Sequence, residues 1–322
     1  SNSDLAAFAE EAGIESQSVM VEEQQVEQQQ KEQQQKEQQQ ENESDTQPEE
    51  QQEEQQEETE VSGEELSENQ TEVSDNDSEK VNLTLELLAA EESADANVTI
   101  RTVEQFVALS KSDAQTYQNK TITLAPHDKE EWDLSGTEFA GLGSDAYPFK
   151  GEISFSGNYT GYITLNKSLF HAISGDAKIN STLNLRAADN MTAPILAENY
   201  VAGEKTDASS PIIHLNIDAK SEDATEENAN YSSFGGIIGT LGKDAAVSLE
   251  VNSIIPKAKT AVSGEGNKGF FCNTMEEGSS LKLIRFTGNT DFNVTSTNET
   301  AGALVGCMAA SANLAIGTEF AY

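Results

Sequence analysis

"FGGIIGTLGKDAAVSLEV", residues 234–251, can be read in two ways. Two glycines, two isoleucines and a third glycine can open a phosphate-binding loop. They can equally form a tight turn that feeds a buried strand. A phosphate loop needs G-x-x-x-x-G-K-[ST] and a helix behind it. Here Gly242-Lys243 is followed by Asp244, and then Val247, Leu249 and Val251 alternate with other residues. Alternation at period two is a strand with one buried face. The stretch reads as turn, apolar run, turn and strand.

The same pattern recurs along the chain. One set of runs, A, comprises SLFHAI (168–173), APILAE (193–198), GGIIGT (235–240), GFFCNT (269–274) and GALVGC (302–307). A second set, B, comprises STLNLR (181–186), IIHLNI (212–217), VSLEVN (247–252), LKLIRF (281–286) and NLAIGT (313–318). Anchoring B on Leu185, Leu215, Leu249, Leu283 and Ile316 gives steps of 30, 34, 34 and 33. Anchoring A on Phe170, Leu196, Ile238, Phe271 and Leu304 gives 26, 42, 33 and 33. A period in this range, carried by apolar rhythm rather than by fixed side chains, marks a solenoid. No amphipathic helix separates the runs, so a doubly wound α/β sheet is excluded. Parallel strands joined by stacked coils remain, with each strand beside its counterpart in the next coil. The expected fold is all-β, a right-handed parallel β-helix over residues 151–322.

The approach to the repeat, residues 97–150, reads as strand, helix, strand and then glycine-punctuated runs. Thr102 suits a helix N-cap, with Gln105 three residues on completing a capping box. Val103, Phe106, Val107 and Leu109 lie to one side of that short capping helix. "KTITLAP" places Ile122 and Leu124 on one face of a strand that Pro126 ends.

In its glycines this chain resembles bacterial cell-surface proteins with the GLUG motif, a Gly-Leu-hydrophobic-Gly sequence. Gly236-Ile237-Ile238-Gly239 matches best, Ala303-Leu304-Val305-Gly306 is close, and Gly269-Phe270-Phe271-Cys272 keeps the first glycine alone. The short helix, "KTITL", "DLSG" and "PFKGEISFSG" also look like the lead-in to such a solenoid, so the resemblance covers roughly residues 98–322. It implies a surface-displayed β-solenoid linked to adhesion, and it carries over no catalytic residue.

Charge narrows the function. The chain carries a formal net charge of −38, and residues 1–96 hold 30 acidic against 3 basic residues. Nearly half of that segment is Gln or Glu, with "KEQQQ" in tandem and Phe8 its only aromatic residue. Such a segment buries too little apolar surface to offset chain entropy, so a disordered acidic leader is expected. Phosphate binding needs clustered Lys and Arg, which argues against nucleic acid. Anionic membrane surfaces are disfavoured for the same reason. No run of 18 apolar residues exists, so no membrane insertion is expected. No signal peptide is visible at the start.

Candidate chemistry is sparse, and no catalytic, metal or cofactor site is assigned. His127, His171 and His214 lack ligand spacing. His214 lies between Ile213 and Leu215 and should point outward if they point in. The acidic run 221–230 is neither an EF-hand loop nor a calcium-binding nonapeptide repeat. "HDKEEWD" (127–133) reads as a turn. Aligned on Gly269 and Gly302, Cys272 matches Val305 and Cys307 matches Thr274, which separates the two Cα atoms by roughly 8 Å. That exceeds disulfide reach, so two buried, unpaired thiols are expected.

The expected function is that of a secreted or surface-displayed bacterial binding protein, not an enzyme. It would be a monomer that uses a solenoid face and inserted loops. Its partner would be a host secreted glycoprotein, such as mucin or immunoglobulin, or a polysaccharide. Insertions 199–211 and 218–233 interrupt the repeat, and such loops gather on the functional side. Tyr200, Tyr231 and Phe234 are the aromatic anchors expected there, with His214 on the adjoining face. Two alternatives stand. One is a polysaccharide lyase or hydrolase, which would need converging carboxylates. The other is a structural stalk for a missing domain. "NLAIGTEFAY" (313–322) ends inside a repeat, so a truncated C-terminus is expected.

Overall fold

The computed structural model describes residues 97–127, 130–157, 159–189, 191–205, 211–219, 232–255, 260–288 and 292–320. The acidic leader lies outside them, as do Tyr231 and most of the 218–233 insertion. Every A run supplies one strand of a single parallel sheet. Its members are β6 (Phe170–Ser174), β9 (Ala197–Val201), β12 (Ile238–Leu241), β16 (Cys272–Met275) and β20 (Val305–Met308). Every B run joins a second parallel sheet. That sheet contains β8 (Leu183–Ala187), β10 (Ile212–Ala219), β13 (Ala246–Ser253), β17 (Ser280–Thr287) and β21 (Asn313–Phe320). It continues toward the N-terminus through β5 (Ile163–Leu165) and β3 (Trp132–Asp133), making seven strands. The chain is a parallel β-solenoid.

Alternation drives the stacking. Ile213, Leu249 and Leu283 form one inward row of the B sheet, and Leu183, Leu215 and Val251 form another, all buried. Phe170, Ala197, Ile238 and Cys272 form an inward row of the A sheet. Each such aliphatic or aromatic side chain contributes roughly 1.5–3 kcal/mol on leaving water. Phe270, Phe271 and Phe286 fill the upper interior edge-to-face, with ring centroids 4.8–5.8 Å apart.

The register differs from the sequence expectation in both sheets. Leu185 pairs with Ile217, and Ile213 pairs with Leu249, so the B steps there are 32 and 36. The anchor at Leu215 is two residues out. A slip of two preserves which side chains point inward, so apolar alternation cannot detect it. The second A run pairs through Ala197 with both Phe170 and Ile238, one residue beyond the expected Leu196, and Ile238 pairs with Cys272, one residue beyond the expected Phe271. In the upper coils Cys272 pairs with Val305 and Thr274 with Cys307, as the glycine alignment requires. Both cysteines are free. Cys272 is buried, but Cys307 is exposed. The expectation of two buried thiols is corrected: Cys307 sits opposite the outward-facing position of Thr274, on a strand at the edge of its sheet.

The glycines lie where coils touch. Gly236 has φ +87°, and a Cβ there would lie 2.4 Å from the Gly269 carbonyl of the next coil. The buried Asn273 side chain ties the same corner, accepting from the Gly269 N–H at 3.1 Å and donating to the Gly235 carbonyl at 2.9 Å.

A third side closes each coil, and it changes place along the stack. Near the N-terminus it is a sheet of β1 (Asn97–Ile100), β2 (Thr121–Leu124), β4 (Glu152–Phe155) and β7 (Lys178–Ile179), reached after an A strand and before a B strand. Higher up it is a sheet of β11 (Ser232–Phe234), β14 (Thr260–Gly264) and β18 (Phe292–Ser296), reached after a B strand and before an A strand. Helix α1 (Val103–Lys111) packs its Phe106 against Trp132 of β3 and against Phe139, with centroids at 5.8 and 5.0 Å. Thr102 caps it by accepting from the Gln105 N–H, while the Gln105 side chain accepts from the Arg101 N–H, one residue outside the capping box.

Candidate functional site

The outer face of the B sheet carries an ordered array of polar side chains. It follows from period two: whatever separates the inward Leu, Ile and Val residues must face out. His214 alternates with buried Ile213 and Leu215 and is half exposed, as its neighbours predict. It stands beside Glu250 on the next coil, with Nδ1 2.7 Å from Oε2. Glu250 pairs in turn with Arg285. A shallow depression of about 230 Å³ lies over these residues, bordered also by Thr182, Asn216 and Asn252.

Next to that row runs a chain of amides. Asn216 Nδ2 donates to Asn184 Oδ1 at 2.8 Å, and Asn252 Nδ2 donates to Asn216 Oδ1 at 3.3 Å. Thr287 Oγ1 then donates to Asn252 Oδ1 at 2.7 Å. Four coils are thus linked along the axis by one hydrogen-bonded line. Each amide NH2 has two donors, and a single ladder bond uses one of them.

A third row is ionic. The Arg186 Nε donates to Asp218 Oδ2 at 2.9 Å and its NH1 donates to Glu131 Oε2 at 3.0 Å. The guanidinium lies 4.8 Å from the centroid of the Tyr162 ring. Burial works to lower the Arg186 pKa, but the hydrogen bonds to Asp218 and Glu131 outweigh it and the pKa is raised. Exposed Ile212 and Ile254 flank the face at either side.

The A sheet carries a smaller cluster. His171 Nε2 is 2.9 Å from Asp145 Oδ1 and Nδ1 is 2.9 Å from Glu198 Oε2. Among the described residues no group of three or more His, Cys, Asp or Glu is arranged to hold a metal ion. Among the same residues no helix is long and apolar enough to cross a membrane.

Two expected anchors are not surface groups. Tyr200 is 1% exposed and stacks inward between Ile173 and Leu241. Phe234 is likewise 1% exposed and meets Phe270 edge-on at 5.7 Å. An aromatic ring beside a repeat-breaking loop is still claimed by the core when its strand alternation points it inward. Tyr231 lies outside the described residues. His214 alone of the named residues is on the outer face.

The amide line was missed from sequence, although a signal exists. Leu183-Asn184, Leu215-Asn216, Val251-Asn252 and Phe286-Thr287 repeat an apolar residue followed by a small polar one. Alignment through Leu215 and Leu249 hides the pattern by two residues. No protein-family model, curated protein or solved structure matches this chain.

Proposed function

We propose that the chain is a non-enzymatic binding protein of adhesin type, secreted or displayed on a bacterial surface. It engages a host secreted glycoprotein, such as mucin or immunoglobulin, or a polysaccharide, across the outer face of the B sheet. The GLUG-like runs Gly236-Ile237-Ile238-Gly239 and Ala303-Leu304-Val305-Gly306 are the resemblance on which this reading draws. On fold alone a stalk would serve equally well. What favours binding is the single observation that Asn184, Asn216, Asn252 and Thr287 form a continuous hydrogen-bonded line beside the His214–Glu250 pair. Asn184 is buried at the start of the line, while Asn216 and Asn252 reach solvent with unspent amide donors, which suits a long, hydroxyl-rich partner. The enzymatic alternative draws less support, because Glu131 and Asp218 are both engaged by Arg186 and Glu250 faces His214.

The test is surface capture of the full chain by immobilised mucin, immunoglobulin and a polysaccharide panel. Retention by at least one, weakened about tenfold or more by His214→Ala combined with Asn216→Ala, is the expected outcome. Retention by none, or retention indifferent to both substitutions, would sink it.

A further inference from the structure

The depression beside His214 is a trough with a direction. Two rows of outward residues border it, and both run along the solenoid axis. His214, Glu250 and Arg285 form one row, and Asn216, Asn252 and Thr287 form the other. Between them lies the backbone of Leu215 and Val251, whose side chains are buried. Leu215 pairs with Leu183, so Thr182, one residue earlier, extends the first row by a coil and also borders the trough.

The upper end of both rows depends on a β-bulge. Leu249 pairs with Leu283, but Glu250 pairs with Arg285 and Asn252 with Thr287, so Ile284 is the extra residue. Without it, Ile284 would stand opposite Glu250 and the buried Phe286 opposite Asn252. The bulge carries both polar rows onto β17, the fourth coil counted from β8.

The direction of repetition selects the ligand. Along the axis Asn216, Asn252 and Thr287 offer a small polar group at every coil, about 4.8 Å apart. Along strand β10, Ile212, His214, Asn216 and Asp218 offer four different groups at steps of about 6.6 Å. A ligand built from one repeated unit therefore matches the face lengthwise and not crosswise. A pyranose linked through equatorial bonds advances its chain by about one coil step, so each coil meets one sugar. The amide line is also directional. Asn216 donates to Asn184, Asn252 to Asn216 and Thr287 to Asn252, each toward the N-terminal coil. The second amide hydrogens of Asn216 and Asn252, which reach solvent, repeat in one orientation. The hydroxyls of a head-to-tail polymer repeat in the same way.

Charge narrows the class further. Glu250 stands in the middle of its row, between His214 and Arg285. A polyanionic glycan would bring its own charges against that carboxylate and against a chain of net charge −38. A protein partner would call for an apolar centre, which neither row supplies.

We infer that the trough holds a linear, neutral polysaccharide lying parallel to the solenoid axis, one sugar to a coil over four coils. The inference rests on the proposed binding function and names its ligand class and pose.

Oligomers of one to six sugars from β-1,4-linked glucan, mannan and N-acetylglucosamine polymers are titrated against the full chain by calorimetry. At least one series should bind. Its affinity should rise about tenfold from disaccharide to tetrasaccharide, at about one hydrogen bond per added sugar, and level off beyond four. Asn216→Ala and Asn252→Ala should each weaken the tetrasaccharide about fivefold. The length series is read on the parent chain and carries the test if a variant fails to fold. Affinity that stops growing at two sugars, affinity that keeps growing past four, or binding indifferent to both substitutions overturns the inference. If no series binds while mucin or immunoglobulin capture persists and depends on His214 and Asn216, the inference falls alone. If capture is absent too, the binding function falls with it.

Discussion

Replacing Gly236 by Ala should destabilise the solenoid by about 2–4 kcal/mol. The residue sits at φ +87°, where a side chain costs ~1–2 kcal/mol. The new Cβ would lie 2.4 Å from the Gly269 carbonyl, 3.2 Å from Asn273 Oδ1 and 3.4 Å from the Phe270 carbonyl. The closest of these is backbone of the neighbouring coil and has no rotamer with which to yield. Relief requires the coils to part where Ile237 donates to Phe270 at 3.0 Å and Ile238 donates to Phe271 at 3.1 Å. Each bond weakened costs about 1 kcal/mol net. The stiffer unfolded chain returns only ~0.4–1 kcal/mol. Gly136→Ala is the control, because nothing lies within 4 Å of its Cβ position and its φ is not positive. That change should stay within about 0.5 kcal/mol of the parent. Urea unfolding of the full chain by far-UV circular dichroism reads both, as shifts of midpoint at constant slope. If Gly236→Ala matched the control, the close passage of coils at this corner would be wrong.

Three further outcomes are expected. Cys307 should react with a thiol reagent in the folded protein while Cys272 does not, because burial pushes the Cys272 thiol up to about 12 and closes it to solvent; two fast thiols would contradict the register of β16 and β20. Lys268 is 7% exposed, and burial lowers its pKa from 10.5. Its unfolded form therefore holds the proton more tightly, so that stability rises with pH between the folded-state value and 10.5. Lys268→Met should accordingly be more stable than the parent at pH 7. That advantage should shrink toward pH 10.5, and a pH-independent difference in melting temperature would count against the assignment. Asn252→Ala interrupts the amide line between half-exposed groups and should cost under about 1 kcal/mol; a loss above 2 kcal/mol would make the line a structural brace instead of a binding surface.

Strands were legible wherever apolar alternation repeats at constant length. The pairing of Cys272 with Val305 follows from glycine positions alone. The pairing of Leu215 does not, since a two-residue slip leaves every inward residue inward. The sheet of β11, β14 and β18 was invisible for a different reason. "SSF", "TAVSG" and "FNVTS" are mostly small and polar, and in β14 Val262 is flanked by Thr260, Ala261, Ser263 and Gly264. A strand with so few large apolar residues leaves no rhythm to read. His214 was legible as an outward residue because its neighbours are branched aliphatics. Tyr200 was misjudged because nearness to an insertion says nothing about which way a strand turns its side chain.

The displacement of the third side also divides the stack into two dialects. Above the junction, the steps from β13 to β17 and from β17 to β21 are 34 and 33 residues up to a bulge and one more beyond it, and the same corner follows each B strand. A duplicate of residues 242–275 inserted in that stretch would meet strands and corners of its own kind on both sides. The same unit placed below β8 would present its third strand at a corner where its neighbours have none, and would leave the sheet of β1, β2, β4 and β7 without a continuation. The solenoid can therefore be lengthened by whole coils in its upper part, while its lower part stays a fixed base.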